Sequence, residues 1–367
     1  MYKKYASLLV DYCIKSKPGQ KVLVRTTTLA EPLLKELYIV LLQRGAFVEF
    51  MLSFEDEERL FLDYASEDQL KQPSEFYTYA IENFDAIITL KAPFNLKSTA
   101  SADSTKKRHA SQSMLPIRQT LMSRSVKKEL TWVLAIFPTQ SAAQEAGMSL
   151  QEFSDFVFNA CFLNEADPIA AWKELSQKQQ KYVDFLNTIK HLQYKGLKTD
   201  LSFSVQNRLW INSDGIRNMP SGEVFSSPVE DSVNGHIYFD VPTVYDGCDV
   251  QGIHLDIENG IIQIWKADIG QEVLDRVFSI EGARMFGEVA IGTNYTIQHP
   301  IKNILFDEKI GGTIHMAVGS TYPETGGKNQ SAVHWDMIKY MQNGGQIFAD
   351  SRLIYENGNF IESAIKF

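Results

Sequence analysis

His334 and Asp336 stand two positions apart in the segment NQSAVHWDM. Residues i and i+2 of an extended strand project to one face, so an imidazole and a carboxylate at this spacing form half of a site for a divalent cation. Alone, the pair is a common coincidence. Glu223 in SGEVF and Glu288 in FGEVAIG are carboxylates set in apolar runs. A buried charge persists when it is paired or bound to metal; otherwise each Glu faces solvent from a half-exposed strand. His315, in TIHMAV, reads in isolation as a core histidine. Taken together, two glutamates, two histidines and an aspartate are hard and borderline ligands suited to zinc, cobalt or manganese. Two ions about 3.5–4 Å apart need this many ligands with one carboxylate bridging, and such a pair polarises a carbonyl and generates hydroxide near neutral pH. The set contains no thiolate, which argues against a closed structural zinc site.

These residues all fall in the second half of the chain, whose texture differs from the first. Residues 2–16 carry Tyr5, Leu8, Leu9 and Cys13 at helical spacing, and Pro18-Gly19 ends that run. A strand is expected at 21–25, a helix at 29–44 stopped by Gly45, and a second strand at 46–52, which makes a βαβ unit. Further strands are expected at 85–91 and 130–137, with helices at 149–163 and 167–192. Strands separated by helices predict a mostly parallel sheet covered on both faces. After about residue 195 short alternating runs dominate, at 201–205, 236–241, 253–257, 260–265 and 313–318, with turn signals between them. Asn259-Gly260 predicts a hairpin between residues 253 and 265. The expected organisation is an α/β scaffold domain over 1–192 and a β-rich, α+β, barrel-like catalytic domain over 193–367.

The 367 residues suit two domains, and the net charge of −9 argues against nucleic acid as a partner. Lys106-Lys107-Arg108 is a short basic run that reads as a solvated loop. Three widely spaced cysteines without a CxxC pair suggest neither a disulfide framework nor a thiolate site, and free thiols fit a reducing compartment. The N-terminal segment lacks the marks of a signal peptide, and no run approaches 18 apolar residues. A cytoplasmic protein without membrane partners is the expectation.

Four stretches carry a family resemblance: MPSGEVFSSPVEDSVNG (219–235), FGEVAIGTN (286–294), LFDEKIGGTIHMAVGSTYPET (305–325) and NQSAVHWDM (329–337). In these the chain resembles the aminopeptidase T and aminopeptidase S family of metalloaminopeptidases. The resemblance runs over most of the chain and is specific from about residue 195 onward. It implies that Glu223 is the first glutamate ligand and that Glu288 bridges two divalent ions. It also implies that His315 is the first histidine ligand, with His334 and Asp336 completing the second metal. Tyr322 matches the family's active-site tyrosine, whose phenol would hydrogen-bond an oxyanion. Glu308 matches a glutamate of the same pocket, either a further ligand or the general base. The implied substrates are peptides with a free N-terminus, and the implied assembly is a homodimer. The chain departs from the family in a shorter segment between His315 and His334, in the tail Met337–Tyr340 and in overall length; the first two bear on the substrate-facing loop. Glu230 and Asp231 could recognise a substrate ammonium or serve as turn formers.

Two other classes compete on the residues alone. A different two-metal hydrolase, an amidohydrolase or phosphoesterase, uses the same ligands, although neither GxxxxGK[ST] nor a well-placed GxGxxG is present to cradle phosphate. A non-catalytic small-ligand-binding protein would leave the metal residues incidental.

Overall fold

A computed structural model describes residues 1–365. The chain divides into two compact units, Met1–Ile169 with Gly215–Pro220, and Ala170–Asp214 with Ser221–Phe367. The helix Pro168–Leu186 belongs to the second unit from Ala170 onward. It is shorter than the 167–192 expected, because His191 already begins a strand and Thr188 and Ile189 close the turn between.

The first unit is built on a parallel sheet. Its strands run in the order Phe47–Ser53, Lys21–Thr27, Ala86–Lys91, Thr131–Ile136 and Asn218–Met219. Central strands such as Ala86–Lys91 are buried on both faces, which is why they read as continuous apolar runs rather than alternating ones. The helix Glu31–Gln43 starts with Pro32 in its first turn, where no N–H is needed, and Arg44 and Gly45 close it. Ser149 and Glu152 form a capping box that fixes the start of the helix Leu150–Ala160. The first expected helix is α-helical over Tyr2–Ser7 and continues as a wider π turn over Leu8–Cys13.

Among the described residues the second unit holds two extended antiparallel sheets and a two-stranded ribbon, Thr243–Tyr245 with Cys248–Val250. In the larger, the strand order is Ile261–Lys266, Ile253–Glu258, Asn234–Phe239, Thr199–Ser204, His191–Gly196, Gln346–Ala349, Arg352–Glu356 and Asn359–Phe360. In the smaller it is His334–Tyr340, Thr313–Gly319, Phe286–Gly292, Glu223–Ser226 and Ile211–Ser213. Both orders are linear. The hairpin at Asn259-Gly260 forms as expected: both residues have positive φ, 49° and 78°, as a two-residue turn matched to strand twist requires. One hydrophobic core runs through the unit, from Tyr182 on the long helix to Val224, Val289, Met316, Val318 and Met337 of the smaller sheet. Among the described residues no helix is long and apolar enough to cross a membrane, and no disulfide forms.

Candidate metal centre

The smaller sheet sorts its side chains by parity. Val224, Val289, Ile291, Met316, Val318, Trp335 and Met337 enter the core. Their neighbours in sequence, Glu223, Glu288, His315, His334 and Asp336, must therefore project from the opposite face. The strands Phe286–Gly292 and Thr313–Gly319 are buried on both faces, so the carboxylates do not escape to water. Glu223 and Glu288 are each 4% exposed, and the alternative of a solvent-facing Glu on a half-exposed strand does not hold.

A bulge aims Glu288. Phe286 pairs with Val318 but Glu288 pairs with Ala317, so Gly287 is the extra residue that resets the register. It has to be glycine, because a Cβ there would lie 2.3 Å from the Ser320 carbonyl oxygen. Glu223 opens its strand opposite Gly292, and Gln179 from the long helix donates to the Glu223 backbone carbonyl at 2.6 Å.

The five side chains converge. His315 Nε2 lies 3.3 Å from Glu223 Oε2, 3.6 Å from Glu288 Oε1 and 4.0 Å from Asp336 Oδ1. His334 Nε2 lies 3.2 Å from Glu288 Oε2 and 3.7 Å from Asp336 Oδ2. Among the described residues three ligand triads form, Glu223–Glu288–His315, Glu288–His334–Asp336 and Glu308–His315–Asp336, each with its donor atoms within 4.8 Å of one another. His334 Nδ1 is 2.8 Å from the Ser320 carbonyl, which can only accept, so Nδ1 donates there and Nε2 is the nitrogen turned toward the carboxylates.

The electrostatics of the hollow are those of a site built for cations. Burial drives the Glu308 carboxyl up to about 8 against the opposing Lys309 charge, and burial with the neighbouring Glu288 raises Asp336. Burial also acts to raise Glu288, but His315 and His334 outweigh it and hold it at about 2. Burial opposes charge on both histidines, yet the surrounding carboxylates hold His315 at about 9 and His334 at about 10. Glu223 Oε2, His315 Nε2 and Asp336 Oδ1 are buried without a hydrogen-bond partner, and all three face the same hollow. Orphaned buried polar atoms of ligand type are what divalent ions would satisfy, so the residues present fit the group.

Tyr322 and Glu308 border the cluster. The Tyr322 ring stands 5.0 Å from His334 and 5.6 Å from Phe225, and the residue is 38% exposed. Glu308 follows a single helical turn, Ile304–Asp307, whose Asp307 accepts from the Ile301 and Asn303 N–H groups. A cavity of about 190 Å³ opens beside His334 and Asp336, walled by Thr243, Tyr245 and Ile304.

Three features escaped the sequence reading. Lys309 is buried and donates to both Glu223 and Glu308. The carbonyl of Ser320 orients the His334 ring. Arg208 pairs with Glu230 and donates to the Gly326 carbonyl. Glu230 also accepts from the Lys328 N–H at 2.6 Å, so it ties two loops together and is not left to meet a substrate ammonium. For Lys309 a signal existed, a cation in ILFDEKIGG beside Glu308. For the other two, backbone partners leave no trace in residue type.

Several known proteins resemble the chain over most of its length. Aminopeptidase 2 of Geobacillus stearothermophilus is 28% identical to the chain over 91% of it and 90% of that protein. Aminopeptidase AmpS of Bacillus subtilis is 27% identical over 97% of each. The solved structure of wild-type AmpT from Thermus thermophilus, 23% identical, superposes with a TM-score of 0.85 over 98% of both chains, which shows a shared fold. The family model described as thermophilic metalloprotease (M29) matches residues 1–360, and the chain belongs to that family.

Proposed function

We propose that the centre holds two divalent ions, zinc, cobalt or manganese, and removes the N-terminal residue from peptides. The chain is a metalloaminopeptidase of its family. The observation that carries the two-ion reading is that Glu288 belongs to two ligand triads at once, one with Glu223 and His315, the other with His334 and Asp336. Glu223, Glu288 and His315 would hold one ion and Glu288, His334 and Asp336 the other. When bound, such a pair supplies Lewis-acid polarisation of the scissile carbonyl and activation of water near neutral pH.

The chain's own groups do the rest. Glu308, half-buried at the edge of the hollow, takes a proton from the attacking water and returns it to the leaving amine. Tyr322 donates its phenolic hydrogen to the oxygen that becomes negative, from a turn beside His334. His334 keeps its orientation through the Ser320 carbonyl. The cavity beside His334 and Asp336 gives a small side chain room next to the reacting carbonyl. We read the protein as cytoplasmic and homodimeric. Light scattering on the purified chain tests the dimer, and a monomer at micromolar concentration would refute it.

Elemental analysis and a paired assay test the function. The expected result is about two ions per chain after reconstitution, cleavage of leucine p-nitroanilide with added cobalt, and no cleavage of p-nitrophenyl phosphate. Glu223→Gln should leave a folded protein with activity reduced by roughly a hundredfold or more. Near-normal turnover in that variant would remove Glu223 from the ligand set.

A further inference from the structure

The hydrolytic scheme leaves one buried charge without a task. The Lys309 side chain is 2% exposed, and an ammonium so placed must be compensated by its surroundings. Its Nζ donates to Oε1 of Glu223 and to Oε1 of Glu308. The lysine is fixed independently of these contacts, since its N–H donates to the Phe306 carbonyl and its carbonyl accepts from Asn294 N–H, each at 3.0 Å. Glu223 is therefore divided. One oxygen belongs to Lys309, and the other, Oε2, has no hydrogen-bond partner and faces His315. Any cation held by Glu223 Oε2, Glu288 and His315 sits one carboxylate's width from a permanent positive charge.

We infer that Lys309 is a resident third cation of the centre, which anchors Glu223 and Glu308 and weakens the divalent ion held by Glu223, Glu288 and His315 relative to the other. The inference rests on the two-ion reading above. With ions bound, the histidines would be neutral ligands and Glu223, Glu288, Glu308 and Asp336 would bring four negative charges to the hollow, of which Lys309 cancels one. Two divalent ions then exceed the remaining charge by one, an excess that favours a polarised substrate oxygen. Lys309 Nζ pairs with Glu223, a ligand of one proposed ion, and with Glu308, but with none of Glu288, His334 and Asp336, so its repulsion falls mainly on the ion that Glu223 would hold. Solvent does little to screen it there, because Glu223, His315 and Lys309 are all buried. A lysine serving only as a structural tie predicts the opposite effect of its removal, because loosened glutamates bind cations less well.

Calorimetric titration of the chelator-treated protein with Zn²⁺ alone separates these outcomes. Wild type should take two ions in steps of unequal affinity. Lys309→Met should still take two, with the weaker step tightened by about tenfold or more and the gap between the steps narrowed. Lys309→Gln, which keeps a donor for one carboxylate but not the charge, should shift in the same direction and guards against a Met variant that does not fold. Lys309→Arg should keep the unequal steps. In thermal unfolding without Zn²⁺ the Met variant should melt below wild type, as Glu223 and Glu308 lose the ammonium that ties them. Unchanged or weaker Zn²⁺ binding in folded Lys309→Met or Lys309→Gln overturns the inference. Wild type that binds fewer than two ions instead defeats the two-ion reading, and that result is seen before any variant is made.

Discussion

Ala290 lies directly across the antiparallel ladder from His315. The same relation repeats around the centre. Glu223 faces Gly292, Glu288 and Asp336 flank Ala317 from either side, and His334 faces Gly319. Directly opposed residues share a face with their Cβ atoms in contact range, so on these sides each ligand has a methyl group or nothing beside it, while Ile338 and Ser213 stand opposite His315 and Glu223 on the other. The space thus left is what a cation needs. Ala290→Leu should fill it. Overpacking of this kind costs about 1–3 kcal/mol, so the variant should fold with a lowered melting temperature and bind less than half the wild-type metal, measured by elemental analysis. Ala290→Gly should keep its metal. Full occupancy in the leucine variant would mean that the sheet face does not set the volume of the site.

Tyr322→Phe separates chemistry from metal binding. The ring packs on Phe225 and His334, and phenylalanine preserves both contacts. What it lacks is the hydroxyl. Metal content and melting temperature should match wild type while kcat falls roughly a hundred- to a thousandfold, the range for loss of one oxyanion donor. A fall confined to KM would assign Tyr322 to substrate binding.

How much of this was legible in the sequence differs residue by residue. The HxD pair was readable because its logic is local, a period of two on one strand, and Asp336 and His334 do share a face. Their meeting with Glu288 and Glu223, about fifty and a hundred positions earlier, depends on strand register. Register at Glu288 is set by a one-residue bulge that no periodicity reveals. The family motifs supplied that convergence where spacing could not. The helix expected to reach residue 192 stops at Leu186 because Leu192 and Tyr194 bury into the sheet, where tertiary packing overrides a plausible helical pattern. Lys309 drew no reading: its place beside Glu308 is visible in ILFDEKIGG, but nothing local tells a buried ammonium from an exposed one.

Arg208 bears on the turn that carries Tyr322. Its guanidinium pairs with Glu230 and donates to the carbonyls of Gly326 and Pro228, so it joins the 228–230 segment to the end of the tyrosine turn. The arginine side chain is 8% exposed and the glutamate 19%, which keeps solvent from replacing these bonds. Arg208→Ala leaves Glu230 half-buried without its partner and should cost on the order of 1–3 kcal/mol. Activity should fall with metal content preserved, because none of the proposed ligands contacts Arg208. Arg208→Lys should recover little, as one ammonium cannot reproduce three diverging donors. Loss of metal in Arg208→Ala would show that the clamp supports the ligands themselves.

Removal of the ions should destabilise the second unit selectively. Every proposed ligand, along with Glu308 and Lys309, belongs to that unit, and none to the parallel-sheet unit. Chelation would leave Glu223 Oε2, His315 Nε2 and Asp336 Oδ1 buried and unmatched, with Lys309 as the nearest fixed cation. A ligand at a hundred times its Kd adds about 2.7 kcal/mol to the folded state, and two such ions about twice that. For a unit of this size each kcal/mol moves the melting temperature by roughly 2–4 °C, so a downward shift on the order of 10 °C is expected. Tryptophan fluorescence can follow it locally, because Trp335 lies between His334 and Asp336 and packs into the core beneath them. Melting of the first unit, followed by hydrogen exchange of the strands Lys21–Thr27 and Ala86–Lys91, should stay where it was. Equal protection in both units with and without chelator would show that ion binding contributes nothing to the fold, and would set the unmatched acceptors at odds with the cation site proposed for them.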